Sequence, residues 1–370
     1  MTPHEQLRET LIAKPQTWLV TGVAGFIGSN LLETLLAAEQ KVVGLDNFST
    51  GKERNLKDVL ERFPARQRNR FTLIRGDIRN IETCQSACKG IDYVLHQAAR
   101  GSVPFSIERP LGSHDSNVTG FLNVLVATRD QHVRRFVFAS SSSVYGDDAA
   151  LPKVENRIGR PLSPYAVTKL ANEQYAFAFA RNYGLETIGL RYFNVFGARQ
   201  DPDSAYAAVI PQWIASMIRN EPAYINGDGS TSRDFCYVAN VVQANLLSAI
   251  SSNPAALNEI FNVAVNARHT LNNLFEMLRA KLSPRHPHLQ HYEPRHRAFR
   301  SGDILHSCAD ISKATHILGY KPTHTLAEGL DDALDWYVNN LARPDESSPK
   351  EWEFESPRRI IGSVLRSELV

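Results

Sequence analysis

Cysteine is scarce in this chain, and the few cysteines present form no pattern. The 370 residues hold 4 of them, Cys84, Cys88, Cys236 and Cys308, at spacings that match neither a disulfide framework nor a zinc site. Reduced thiols in a cytoplasmic protein are the expectation. An excess of one charge is missing too. The 41 Lys and Arg face 39 Asp and Glu, a net +2, which gives no footprint for nucleic acid or a membrane surface. No apolar run reaches the length of a bilayer span. The amino-terminal stretch Met1 to Gln6 lacks the basic-then-apolar order of a secretory leader. The histidines of Leu282 to His296 do not share one helix face, so that stretch reads as a solvated loop and no metal is expected. There is no internal repeat. What remains is 43% hydrophobic and 22% charged, ordinary for a globular chain long enough to bury a sizeable core.

Glycine is placed where it carries information. The β-prone run Thr17 to Thr21 enters Gly22-Val-Ala-Gly25-Phe-Ile-Gly28, and a helical pattern follows from Ser29 to Ala38. Strand, glycine turn and helix form the context of a dinucleotide fingerprint. Gly22 permits the tight turn, Gly25 lets backbone N–H groups approach a diphosphate, and Gly28 allows close helix–strand packing. The spacing is a variant of the usual dehydrogenase pattern. A second strand, Lys41 to Asp46, ends in an acid where a ribose-binding carboxylate belongs, which favours NAD over NADP. Asn47-Phe-Ser49-Thr50-Gly51 reads as a loop near the adenosine, and Asp77 closes a further strand. Strand-like and helical runs alternate to about Asn194, with helices expected over 113–130 and 164–183. This predicts an α/β fold, a Rossmann-type doubly wound parallel sheet. Gly22, Asp46, Asp77, Ala98, Ser140 to Ser143 and Asn194 all fall at predicted strand ends, on one edge of that sheet.

Tyr165 and Lys169 are four residues apart on the second of these helices, so they share a face. A free phenol, with a pKa of about 10, is a poor base at neutral pH. A neighbouring ammonium is expected to lower it, and a serine of the run Ser140 to Ser143 can pass the proton on. The trio reads as acid–base machinery for a carbon-bound hydroxyl.

Together these motifs resemble the extended short-chain dehydrogenase/reductase family, from about Thr17 to Leu341, and within it the UDP-hexose 4-epimerases. The resemblance is carried by the glycine motif, Asp46 to Gly51, His96-Gln-Ala-Ala99, Ser140-Ser-Ser-Ser-Val-Tyr-Gly146, Arg191-Tyr-Phe-Asn-Val-Phe-Gly197, Arg233-Asp-Phe235 and Ser301-Gly-Asp303. It implies bound NAD, held by Gly22, Gly25, Phe26, Ile27, Gly28, Asp46, Asn47, Ser49, Thr50, Gly51, Asp77, Ile78, Gln97, Ala98, Ala99, Ser140, Tyr165, Lys169 and Tyr192. Catalysis would fall to Tyr165, Lys169 and Ser141: Tyr165 takes the proton of the sugar 4-OH, and hydride leaves C4 and returns to its other face. The UDP-sugar would meet Gly101, Ser102, Val103, Ser141, Ser142, Tyr165, Asn194, Arg233, Arg300, Asp303 and Ser307.

The resemblance also bears on the sugar. In epimerases restricted to unacetylated hexoses, a tyrosine fills the pocket where this chain has Ser307, and Gly101-Ser-Val-Pro104 is similar to the subgroup that prefers N-acetylated sugars. UDP-N-acetylglucosamine and UDP-N-acetylgalactosamine are the expected pair. The corresponding uronates and UDP-glucose/UDP-galactose stay open. Arg100 stands where an apolar residue is expected, and either reads a C6 carboxylate or turns away into an ion pair. A 4,6-dehydratase would need an acid pair after Ser141, where Ser142 and Ser143 stand; a catalytically silent NAD-binding protein is the other alternative. The expected division is an N-terminal extension (1–16), a NAD-binding domain (17–195), a mainly substrate-binding domain (196–345) and a C-terminal extension (346–370). A homodimer paired through helices 113–130 and 164–183 in a four-helix bundle is the expected assembly.

Overall fold

Runs such as Trp18-Leu-Val20 and Phe136-Val-Phe138 are apolar on both faces, and such strands stay dry only between two layers of helices. A computed structural model of the chain, which describes residues 3–204, 207–299 and 305–341, meets that demand. Seven parallel strands lie in the order Glu259–Val263, Thr187–Tyr192, Arg135–Ser141, Tyr93–His96, Thr17–Thr21, Lys41–Asp46 and Phe71–Arg75. Alternate residues feed opposite faces. Trp18, Val20 and Val137 enter one core beneath the helices Phe26–Ala37 and Val238–Ile250. Leu19, Phe136 and Phe138 enter the other, with Phe121, Val124, Cys84 and Cys88. Each such side chain contributes roughly 1.5–3 kcal/mol by leaving water. The strand order turns back on itself between Thr17–Thr21 and Tyr93–His96, with Thr21 opposite His96. In doubly wound sheets ligands settle beyond the carboxyl ends of strands at such a switch point.

The helix Pro164–Tyr183 starts and stops where its sequence says it should. The Ser163 hydroxyl accepts from the Ala166 N–H at 3.2 Å, Pro164 takes the first turn, and Gly184 closes the end at φ 69°. The expected helix over 113–130 differs from a single regular helix. A short segment, Pro110–His114, runs through a π turn at Asp115–Thr119 into Gly120–Asp130. Gly120 allows the close approach there, since a Cβ on it would lie 2.6 Å from the Ile78 side chain.

Beyond residue 195 the chain does two jobs. The strand Glu259–Val263 and the helix Val238–Ile250 return to the large sheet, so the sheet is not confined to the first part of the sequence. The rest builds a second core around Trp213, Phe275, Leu278, Leu330 and Tyr337. The histidine-rich stretch is more ordered than a plain loop. It carries a 3-10 turn at Pro287–His291 and a strand, Arg295–Arg297, paired with Tyr224–Asn226. No helix among the described residues is long and apolar enough to cross a membrane. The candidates Arg300 and Asp303, and the segment 346–370, lie outside the described residues.

Candidate active site

The glycine turn closes tightly at the end of the first strand. Gly22 stands at φ +70°, and a Cβ there would come within 2.9 Å of the Ala98 backbone. A Cβ on Gly28 would lie 2.1 Å from the Gly22 carbonyl oxygen. The helix Phe26–Ala37 starts at Gly25 with no acid in its first turn, so its amino-terminal partial positive charge is uncancelled. A cleft opens in front of it, lined on one wall by Asp46, Asn47, Ser49, Thr50 and Gly51 and on the other by Gln97, Ala98 and Ala99. Gly25, Phe26, Ile27, Asp77 and Ile78 also line it.

The two acids in the cleft are shifted in opposite directions. Asp46 is buried; its oxygens accept from the Ala24 and Phe48 N–H groups, each at 2.8 Å, yet burial outweighs these bonds and raises its pKa. Burial would raise Asp77 as well, but hydrogen bonds from Arg79 and Asn47 overcome it and bring the carboxyl down to about 2. Arg79 grips Asp77 with two nitrogens, at 3.0 and 2.8 Å.

Tyr165, Lys169 and Ser141 meet beyond the carboxyl end of the fifth strand, Arg135–Ser141. The Lys169 ammonium lies 5.9 Å from the centre of the Tyr165 ring and donates to the Ala139 carbonyl at 2.8 Å. The expectation that Lys169 holds the phenol's pKa down is corrected. Burial raises the Tyr165 phenol, and a hydrogen bond to Ser141 lowers it only in part. Burial also pulls Lys169 down to about 8, against the carboxylate of Glu173. The Ser141 hydroxyl in turn accepts from the Ser143 hydroxyl at 3.0 Å.

A layer of buried polar groups holds these residues, and the sequence does not announce it. Glu173 accepts from Ser140 at 2.5 Å and takes Arg191 in a two-pronged pair at 2.9 and 2.8 Å. The Ser140 hydroxyl proton is thereby given to Glu173. Asn245 donates to the Tyr192 hydroxyl at 2.8 Å and accepts from Gln97 at 2.9 Å, so the Tyr192 ring and the Gln97 amide are fixed together. Asn117, on the π turn, accepts from the Arg100 N–H at 2.7 Å and donates to the Arg100 carbonyl and the Thr168 hydroxyl, each at 3.1 Å. The one available signal was a polar residue, Asn245, within a helix buried on nearly every side.

Comparison with known proteins decides the family. Residues 18–264 match the NAD dependent epimerase/dehydratase family. The chain belongs to that family. It is similar to the UDP-glucose 4-epimerase of Mycolicibacterium smegmatis, with 33% identity over 87% of this chain and 98% of the relative. It is similar to the UDP-glucuronate 4-epimerase of Thermodesulfobacterium geofontis, with 32% identity over 88% and 97%. Among solved structures it resembles the UDP-N-acetylglucosamine 4-epimerase of Methanobrevibacter ruminantium M1 in complex with UDP-N-acetylmuramic acid, at a TM-score of 0.80 and 36% identity over 88% of this chain and 99% of that one.

The cleft fits the family's cofactor, NAD. A Cβ at Gly22 or Gly28 would fill the backbone cradle, the helix amino terminus faces the opening, and a carboxyl in the wall, as at Asp46, suits ribose hydroxyls and disfavours a 2′-phosphate. The candidates for the sugar side are more scattered. Asn194, at φ 33°, donates to the Asp234 carbonyl at 3.1 Å. Arg233 donates to the Ser232 and Leu305 carbonyls at 3.0 and 3.1 Å. Ser307 is buried, its N–H donating to the Ser232 carbonyl at 3.0 Å. Ser102 caps the short helix Val103–Glu108, Ser142 opens the 3-10 turn after Ser141, and Gly101 is exposed with open space around its Cα. Arg100 joins no carboxylate in an ion pair among the described residues, so the expected ion pair is not formed, and its side chain lines the dinucleotide cleft.

Proposed function

We propose that this member of the family interconverts the C4 epimers of a UDP-N-acetylhexosamine, UDP-N-acetylglucosamine and UDP-N-acetylgalactosamine, through a transient 4-keto sugar. The supporting observation is the meeting of Tyr165, Ser141 and Lys169 beside a dinucleotide cleft, with hydroxyls and no acid pair after Ser141. NAD, when bound, supplies a hydride acceptor and donor at C4. Tyr165 takes the proton of the 4-OH and returns it after the sugar has turned over. Ser141, near enough to the phenol to lower its pKa, shares that proton. Lys169 brings a cation within reach of the ring, and burial leaves that cation titratable, at about 8. Burial still leaves the phenol a weak base, so the arrangement suits a proton that moves together with the hydride rather than before it.

The remaining candidates take roles on the same reading. Asp46 holds the adenosine ribose, the Gly25–Gly28 turn the diphosphate, and Gln97 and Tyr192 the neighbouring wall. Asn194, Arg233, Arg300 and Asp303 hold the UDP, and Gly101, Ser102, Val103 and Ser142 border the sugar. The region 17–195 carries the cofactor and 196–345 mainly the UDP-sugar. Ser307 carries the choice of sugar. A buried serine leaves the room that an aromatic ring would take, and a 2-acetamido group needs that room. The assembly is a homodimer through the helices around Leu111 and Phe177, which leave these side chains 79% and 58% exposed on one chain, an apolar surface suited to burial.

The test is to incubate the purified protein with UDP-N-acetylglucosamine, UDP-glucose and UDP-N-acetylglucuronate separately and follow each C4 epimer by proton NMR. Conversion of the first, faster than of the second, is expected. Conversion of UDP-glucose alone would overturn the role given to Ser307. Conversion of the uronate alone would keep the chemistry and replace the substrate.

A further inference from the structure

Arg100 is out of character for its position and yet carefully held. It follows Gln97-Ala-Ala99 beyond the strand Tyr93–His96, and its backbone is gripped from both sides by buried Asn117, at 2.7 and 3.1 Å. The root of the side chain is therefore fixed. From there the guanidinium reaches the opposite wall of the cleft, 3.4 Å from the Ser49 carbonyl, and lies 5.3 Å from the centre of the Phe105 ring. A contact of 3.4 Å is too long to satisfy it. Among the described residues that line the cleft it is the only cation. Asp77, one of the two acids in the same cleft, is already taken by Arg79 at 2.8 Å. The group is half-buried, and burial together with the nearby Arg79 weakens its hold on its proton.

A dinucleotide brings a diphosphate with two negative charges into this cleft. The helix at Phe26 offers about half a unit of positive charge, which leaves most of the diphosphate's charge uncompensated. A half-buried guanidinium without a carboxylate is costly alone and gains most from an anion. We propose that Arg100 is a cofactor-retaining residue, whose guanidinium spans the mouth of the cleft and gives the diphosphate of NAD a positive countercharge that slows its release. The proposal rests on the family's use of NAD and not on the choice of sugar.

The test compares the parent with Arg100→Gln and Arg100→Lys. NAD is released from each purified protein by denaturation and counted per protomer. NAD and ADP dissociation constants are then measured on stripped protein at low and high salt, with thermal unfolding as the check on folding. Arg100→Gln is expected to carry less NAD and to bind both ligands about ten- to a hundredfold more weakly, the worth of a charge-assisted hydrogen bond. Arg100→Lys is expected to stay closer to the parent, and high salt to narrow the gap. An Arg100→Gln protein with the parent's NAD content and affinity would overturn the proposal, as would Arg100→Lys failing as far as Arg100→Gln. A folded Arg100→Gln with unchanged NAD but altered preference between acetylated and uronate sugars would assign Arg100 to the substrate instead. These readouts stand even if no sugar tested is epimerised.

Discussion

At the scale of single residues, the chemistry depends on groups that burial makes uncomfortable. Tyr165→Phe removes one oxygen and leaves the ring, so NAD content and unfolding should stay near those of the parent. Turnover should fall by about 10²–10⁴ or more, the usual worth of a positioned acid–base group, in an NMR assay of epimerisation. Glu173 shows the other side of burial. It holds Arg191 and Ser140 where neither reaches water, and Glu173→Ala leaves a buried guanidinium unpaired. A loss of about 3–5 kcal/mol in urea unfolding is expected; a loss typical of a surface pair, below about 1 kcal/mol, would show that water reaches the site. His96 gives the pH dependence. Burial, with the charge of Lys169, depresses it to about 3, while the unfolded chain titrates near 6.5. Above that value the ring is neutral in both states. As pH falls below it, the unfolded chain takes up a proton that the fold refuses, so stability is lost with acidification until about 3. The stability difference between the parent and His96→Gln should therefore shift against the parent between about pH 7 and about pH 5.

At the scale of elements, the parts that could be read in the sequence are those whose cause is local. The glycine turn, the strand Lys41–Asp46 and the helix Pro164–Tyr183 have their signals within a few residues: three glycines, a β-prone run ending in an acid, a Ser-Pro start and a glycine stop. The π turn at Asp115–Thr119 has no such signal, because one extra residue in a helical turn leaves the apolar periodicity almost unchanged. Asn117 was illegible for the same reason, and its partners Arg100 and Thr168 are distant in sequence. The glycine turn also gives a sharp test. Gly28→Ala sets a Cβ against the Gly22 carbonyl, 2.1 Å away, and the backbone must yield. A cost of about 1–3 kcal/mol with reduced NAD content is expected; thermal unfolding and released nucleotide measure both. The helices bearing Leu111 and Phe177 are tested by size. The parent should sediment as a dimer, and a Leu111→Asp/Phe177→Asp double variant as a monomer.

At the scale of the whole molecule, the sheet's outline was legible because six of its strands alternate with helices between Thr17 and Tyr192. The seventh, Glu259–Val263, was not. It lies among short irregular elements, and only its pairing with Thr187–Tyr192 makes it part of the sheet. The candidate site divides in the same way. Asp46, Gln97, Ser141 and Tyr165 sit at strand ends and on a helix whose positions follow from the alternation. Arg233 and Ser307 come together through folding of the second region, which no local pattern fixes. The resulting molecule sets a dinucleotide cleft and a Tyr–Ser–Lys cluster along one edge of a parallel sheet, and on the proposed mechanism a hydrogen leaves C4 of the sugar and returns to the same carbon. The most direct measurement uses UDP-N-acetylglucosamine carrying deuterium at C4, incubated with the protein in ordinary water. Deuterium retained at C4 of the UDP-N-acetylgalactosamine formed is the predicted result. Deuterium lost to solvent, with epimerisation still occurring, would contradict hydride transfer and the role given to Tyr165.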